Sequence, residues 1–128
     1  MTDIKGHIKH WCFGAEEDLA VASDLIERGR IRHGLFFLNH ATQKMIKAHV
    51  CRQSNKEAPP VHNLTVLAQK GGLDLCNDDL GFLEQINKFD MEDFYPQEKN
   101  HQPTWEQALS YLNRAGNIIT WLKGKLDE

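Results

Sequence analysis

A set of polar side chains interrupts the most apolar stretch of the chain, and their types could do chemistry. Asn39, His40, Gln43, Lys44 and Lys47 lie between Leu35 and Cys51, at steps of one, three and four. On a helix that spacing gathers them on one narrow strip. Two ammonium groups beside an imidazole and two amides can hold a phosphate or a nucleotide, with Lys44 and Lys47 as point charges. The same groups can instead bond to one another across a helix interface, with His62 and Asn63 capping a following helix against Gln43 or Lys44. A polar group at such an interface must find a partner or cost about 1–3 kcal/mol. The second arrangement needs no ligand and is the simpler expectation.

Two further clusters invite a chemical reading. His7 and His10 are three apart and would face together on a helix, with Cys12 close by in sequence. Cys12 points elsewhere on that helix, however, and no second cluster supplies the other ligands that zinc prefers. No metal and no other cofactor is expected. Arg28, Arg30, Arg32 and His33 form the one dense basic cluster. It could touch an RNA backbone, but a solvated turn is the commoner setting, with positive charge favourable near a helix C-terminus.

The elements that would carry these residues read as helices throughout. Thr2 or Asp3 can cap a first helix whose stripe is Ile8, Trp11, Cys12, Ala15, Leu19, Ala22 and Ile26. Glu16, Glu17, Asp18, Asp24 and Glu27 fall on its outer face, and Gly29 stops it. A very short connection, Arg30 to Gly34, should send the second helix back antiparallel. That helix, Leu35 to about Arg52, has Leu35, Leu38, Ala41, Met45 and Ala48 on one face and is the one around which the others pack. A polar loop closing on Pro59-Pro60 precedes a short helix from Val61 or His62 to Gln69, ended by Gly71-Gly72. Asn77 or Asp78 can cap a fourth helix with Leu80, Leu83 and Ile86, fraying before Phe94. Thr104 and Gln107 fit a capping box for a last helix with Trp105, Ala108, Leu109, Leu112, Ala115, Ile119, Leu122 and Leu126. Trp105, Tyr111 and Trp121, with Phe36 and Phe37, are expected to be mostly core, with some surplus left for a dimer face.

No segment alternates apolar and polar residues, so residues 1–128 are expected to form one all-α domain: an antiparallel up-and-down bundle of four long helices plus one short helix. The formal net charge of -3 gives no support to bulk binding of nucleic acid or of an anionic membrane. No apolar run approaches the roughly 18 residues of a membrane span. Three widely spaced cysteines without a CxxC pair favour reduced thiols and a cytoplasmic setting.

Four motifs occur in order: Trp11-x-x-x-Ala15-x-x-Asp18-Leu19; Gly29-Arg30; Phe36-Phe37-Leu38-Asn39-His40-Ala41 running into Gln43-Lys44-x-x-Lys47-Ala48; and Pro60-Val61-His62-Asn63-Leu64. Together, from about Ile8 to Leu126, they resemble the HEPN domain (higher eukaryotes and prokaryotes nucleotide-binding). The resemblance implies a helical bundle that forms homodimers. It implies a prokaryotic setting in which many members sit beside a minimal nucleotidyltransferase in modules of the toxin–antitoxin type. Many relatives are also metal-independent ribonucleases through an Arg-x4–6-His motif completed by pairing of two subunits.

This chain departs from that pattern. Relatives often have Glu where Gln43 stands, and often read Arg-Tyr-Pro where this chain has Phe94-Tyr95-Pro96. The arginine position is thus apolar, while His101 follows at a spacing the motif permits. His101 could take a proton from a ribose 2′-hydroxyl, with Lys99 or Lys88 supplying charge, yet lysine lacks the bidentate geometry of arginine on phosphate. Arg28 and His33 also fit Arg-x4-His, but they straddle a turn and are taken as a chance match. In related modules a tyrosine near this loop can be modified by the partner, which makes Tyr95 a candidate. The expected function is a non-catalytic or weakly catalytic HEPN component. It would bind a nucleotidyltransferase or a nucleotide through Asn39, His40, Gln43, Lys44, Lys47, His62 and Tyr95. The alternatives are a ribonuclease toxin using His101 and a stand-alone interaction domain.

Overall fold

The computed structural model describes residues 3–89 and 103–127. The candidates His101, Tyr95, Phe94 and Lys99 lie outside the described residues. Five helices follow one another: α1 (Ile4–Glu27), α2 (Ile31–Ser54), α3 (Leu64–Lys70), α4 (Asn77–Asn87) and α5 (Trp105–Leu126). There is no strand among the described residues. The antiparallel all-helical arrangement is the expected one. The fourth helix, however, is 11 residues long and ends at Asn87, well short of Phe94.

Each helix begins and ends for a local reason. The Asp3 carboxylate caps α1 by accepting from the Gly6 N–H at 2.9 Å. At the other end Gly29 takes φ +82°. The Arg30 N–H reaches the Leu25 carbonyl at 2.8 Å and the Gly29 N–H reaches Ile26 at 3.0 Å, a Schellman closure that satisfies orphan carbonyls. The chain re-enters a helix at Ile31, a full turn before Leu35. Gly34 is therefore not part of the connection but sits buried in the first turn of α2, against Ile26. Asn63 is extended and caps α3, accepting from Thr65 and Val66 backbone N–H groups at 3.0 and 3.2 Å. Residues Val61 and His62 thus precede that helix. Cys76, not Asn77 or Asp78, occupies the N-cap of α4, and Asp78 and Asp79 place negative charge in its first turn. Thr104 and Gln107 close the expected capping box.

α2 is buried along most of its length. Its Leu35, Leu38, Met45 and Ile46 meet Ala15, Ala22 and Ile26 of α1, Leu64 and Leu67 of α3, Leu83 and Ile86 of α4, and Ile119 and Leu122 of α5. Phe82 and Phe89 pack on Tyr111, with ring centroids 6.0 and 5.4 Å away. Trp105 and Trp121 do not join this core: they are 44% and 46% exposed. The Trp105 indole N–H donates to the Ile26 carbonyl at 2.8 Å, which ties the start of α5 to the end of α1. The ring of Trp121 lies under the Lys125 ammonium, 4.8 Å from its centroid. Ile118, which the stripe omitted, is buried.

One buried polar group ties the far end of the bundle together. His49 is almost fully buried, and its Nε2 lies 2.8 Å from the Leu122 carbonyl. A carbonyl only accepts, so Nε2 carries the proton. Burial holds this imidazole below its ordinary value, an effect that the carbonyl opposes and nearby Arg52 and Lys125 reinforce. The folded protein thus favours the neutral ring. That contribution is complete above the unfolded value of 6.5 and is lost as pH falls from there toward the folded value. Urea midpoints should fall on acidification from about pH 7.5 to 5, and more steeply in the wild type than in His49→Gln. Equal slopes in the two proteins would refute this assignment.

Candidate functional site

The polar strip of α2 divides into two parts. Asn39 and Gln43, only 1% and 2% exposed, face inward. The Asn39 Nδ2 donates to the Ile86 carbonyl at 2.7 Å. That bond fixes the amide, so its Oδ1 accepts from Gln43 Nε2 at 2.5 Å. Gln43 Oε1 then lies 3.1 Å from His62 Nδ1, which must donate. The chain of bonds leaves neutral His62 with its Nε2 lone pair unprotonated. Beside it, the Asn87 Oδ1 accepts from the Leu64 N–H at 2.8 Å and the Asn87 amide approaches Asn63 Oδ1 at 3.4 Å. One network therefore links α2, the His62–Asn63 segment, the start of α3 and the end of α4. Asn87 was missed in the sequence, where the fourth helix was expected to continue toward Phe94 and Asn87 fell inside it; in the structure it is the last residue of α4.

The cationic part faces α1. The Lys44 ammonium sits 2.7 Å from an Asp18 carboxylate oxygen. Asp18 is therefore turned toward α2, whereas the helical pattern placed it on the outer face. Lys47 is 8% exposed, and its ammonium lies 5.1 Å from the centroid of the Trp11 ring. Burial, with Lys44 nearby, lowers its pKa. The ring face of Trp11 compensates part of the lost hydration. The Trp11 N–H is buried without a nitrogen or oxygen partner. His40 is half-buried at the other end of the strip, 4.4 Å from the Phe36 ring.

The remaining candidates are dispersed. A cleft of about 610 Å³ at the start of α1 is lined by Asp3, His7, His10, Trp11 and Glu57. His7 pairs with Glu57 at 3.3 Å and His10 packs edge-on against Trp11. Among the described residues no group of three or more His, Cys, Asp or Glu side chains is placed to hold a metal ion. Cys12, Cys51 and Cys76 are free thiols, and Cys12 Sγ lies 3.9 Å from Met45 Sδ. Arg28, Arg30 and His33 are exposed around the α1–α2 turn, with Arg32 half-buried. The Lys88 ammonium lies 5.7 Å from the centroid of the Phe89 ring. Among the described residues no helix is long and apolar enough to cross a membrane.

Comparisons with known proteins place this geometry in a family. A family model for the HEPN domain matches residues 8–125. No curated protein matches the chain. Among solved structures, that of TT1696 from Thermus thermophilus superposes with a TM-score of 0.75 at 17% identity, covering 92% of this chain and 97% of the other. ST0689, described as an archaeal HEPN homologue, superposes with a TM-score of 0.69 at 22% identity, covering 92% of this chain and 96% of its own. At these identities the likeness is one of fold. The family match spans nearly all of the sequence, and the chain belongs to the HEPN domain family.

Proposed function

We propose that this chain is the non-catalytic or weakly catalytic HEPN component of a cytoplasmic toxin–antitoxin-type module. It acts as a homodimer whose partner is a minimal nucleotidyltransferase. The observation that carries the choice of a protein partner over a free nucleotide is the internal use of the α2 strip. Asn39 and Gln43 are committed to Ile86 and His62. Lys44 is committed to Asp18 and Lys47 to the face of Trp11. A nucleotide would have to break these contacts to gain its own. The phenylalanine at position 94, where relatives often carry the arginine of the ribonuclease motif, supports the weak or absent catalysis.

Co-expression with the product of the neighbouring gene tests the reading. The two proteins should co-purify in a fixed ratio, the HEPN chain alone should leave total RNA intact, and a panel of nucleotides should not raise its melting temperature. RNA cleavage that disappears in His101→Ala would overturn the proposal in favour of a ribonuclease. A thermal shift that disappears in Lys47→Met would instead reassign the strip to a nucleotide.

A further inference from the structure

Between the first half of α1 and the last turns of α5 lies a cleft of about 480 Å³, within the range of small-molecule sites. Ile8, Cys12 and Phe13 of α1 and Leu126 of α5 line it, and it shares no lining residue with the polar strip of α2. Phe13 is 67% exposed, the largest exposure among the large apolar residues described. Burial raises the Cys12 thiol above its ordinary value, and Glu16 adds to this. The apolar lining therefore carries no charge near neutral pH.

Charge is confined to the border and is uneven. Lys5 and Lys9 stand at the end near the start of α1. They are four apart on one face of the helix, where like charges repel. Among the described residues no carboxylate is paired with either. The two carboxylates that border the cleft act instead on Lys123: Glu16 binds its ammonium at 2.5 Å, and Asp127 adds to the same effect. The cleft thus has an apolar floor, a cationic end at Lys5 and Lys9, and charge that is largely cancelled toward Glu16. Its match is an occupant with one anionic head and an apolar tail. From Lys5 to Glu16 is about 16 Å along the helix. A saturated chain of about eight to twelve carbons extends for about 10–15 Å on standard bond lengths.

We propose that this cleft binds an aliphatic carboxylate of about eight to twelve carbons, with its head between Lys5 and Lys9 and its tail over Ile8, Cys12 and Phe13. Charge selects this occupant over other amphiphiles. A cationic head would meet two uncompensated ammonium groups, and a neutral head would leave their repulsion in place. A lipid surface would meet Glu16 and Asp127 together with the lysines, whereas a single chain lies within the cleft and leaves those carboxylates to Lys123.

Calorimetric titration of the full chain with decanoate, at low salt and below its micelle-forming concentration, tests the assignment. Binding should be saturable and one-to-one. It should tighten by about fourfold for each two methylenes from octanoate to dodecanoate, the increment of a chain buried on one side. Lys9→Glu should weaken it by about fivefold. Phe13→Ser, at an exposed position, should weaken it with an unchanged far-UV circular dichroism spectrum. Decanoate should also slow alkylation of Cys12 by N-ethylmaleimide, resolved by peptide mass spectrometry, while exposed Cys76 reacts at its usual rate. Absence of saturable decanoate binding, or equal binding of decyltrimethylammonium, would overturn the proposal. Protection of Cys12 that follows protein concentration, or that requires phosphatidylglycerol vesicles, would place a second copy or a membrane on this surface and overturn it as well.

Discussion

Replacing Asn39 by aspartate should destabilise the fold by about 3 kcal/mol or more at neutral pH, and acidification should recover part of that loss. The substitution keeps an oxygen for Gln43 Nε2. It also places a second acceptor where Asn39 Nδ2 now donates to the Ile86 carbonyl at 2.7 Å. The site is 1% exposed, so water cannot relieve the repulsion and the new carboxylate is buried. Its pKa must rise in the folded state, because burial and the facing carbonyl both disfavour the anion. Stability is then greatest below the unfolded carboxylate value of about 4, and lost as pH rises toward the folded value. Once protonated, the carboxyl can donate to Ile86. Asn39→Ala should cost about 2–3 kcal/mol with no such recovery, since two hydrogen bonds vanish and Gln43 keeps a buried, unmatched donor. The measurement is urea unfolding of both variants and wild type across pH, comparing differences so that His49 cancels. An Asn39→Asp protein as stable as wild type at pH 7 would show that the network is not closed as described.

Gly34→Ala is expected to be the second large loss, about 1–3 kcal/mol, although alanine is the better helix former. Propensity alone would favour the substitution by about 0.5–1 kcal/mol. Against it, the new Cβ would overlap Ile26 Cγ1 and stand 3.2 Å from the Ile26 backbone nitrogen. Ile26 is fully buried and cannot swing clear, so α1 and α2 must separate where Gly34 meets Ile26. The steric term therefore exceeds the propensity term. A double-mutant cycle with Ile26→Ala isolates it. The pair should lose less than the sum of the single losses, because removing Cγ1 vacates the contested space. A stabilised Gly34→Ala protein would mean that the crossing can relax.

The contrast between these two positions shows what a sequence of this kind discloses. Periodicity located α5 and its capping box, because Thr104, Gln107 and the apolar stripe obey local rules that tertiary contacts do not override. The same rules misplaced the start of α2. Gly34 reads as a helix breaker, and only the proximity of Ile26 explains why a glycine is needed there. The strip from Asn39 to Lys47 was visible as a set, and the bond between His62 and Gln43 matches the expected bridge. Its division into a buried amide pair and a cationic edge was not visible, because that depends on where the Ile86 carbonyl and Asp18 arrive from other helices. His49 carried no signal at all. It lies among apolar residues, and its partner is a backbone carbonyl 73 residues away. Trp105 and Trp121 misled for the opposite reason: large aromatic rings at helical spacing suggest core, yet they stand 44% and 46% exposed, one bonded to the Ile26 carbonyl and the other under the Lys125 ammonium.

The Schellman-closed turn at Gly29 has a kinetic consequence. It joins two 24-residue helices through a connection so brief that their mutual packing is almost entirely local in sequence. The ties from α2 to α5, His49 to Leu122 and Arg52 to Lys125, each close a span of 73 residues and carry a far larger loop entropy. During refolding the α1–α2 hairpin should accordingly acquire amide protection first, with α5 docking afterwards onto a preformed template.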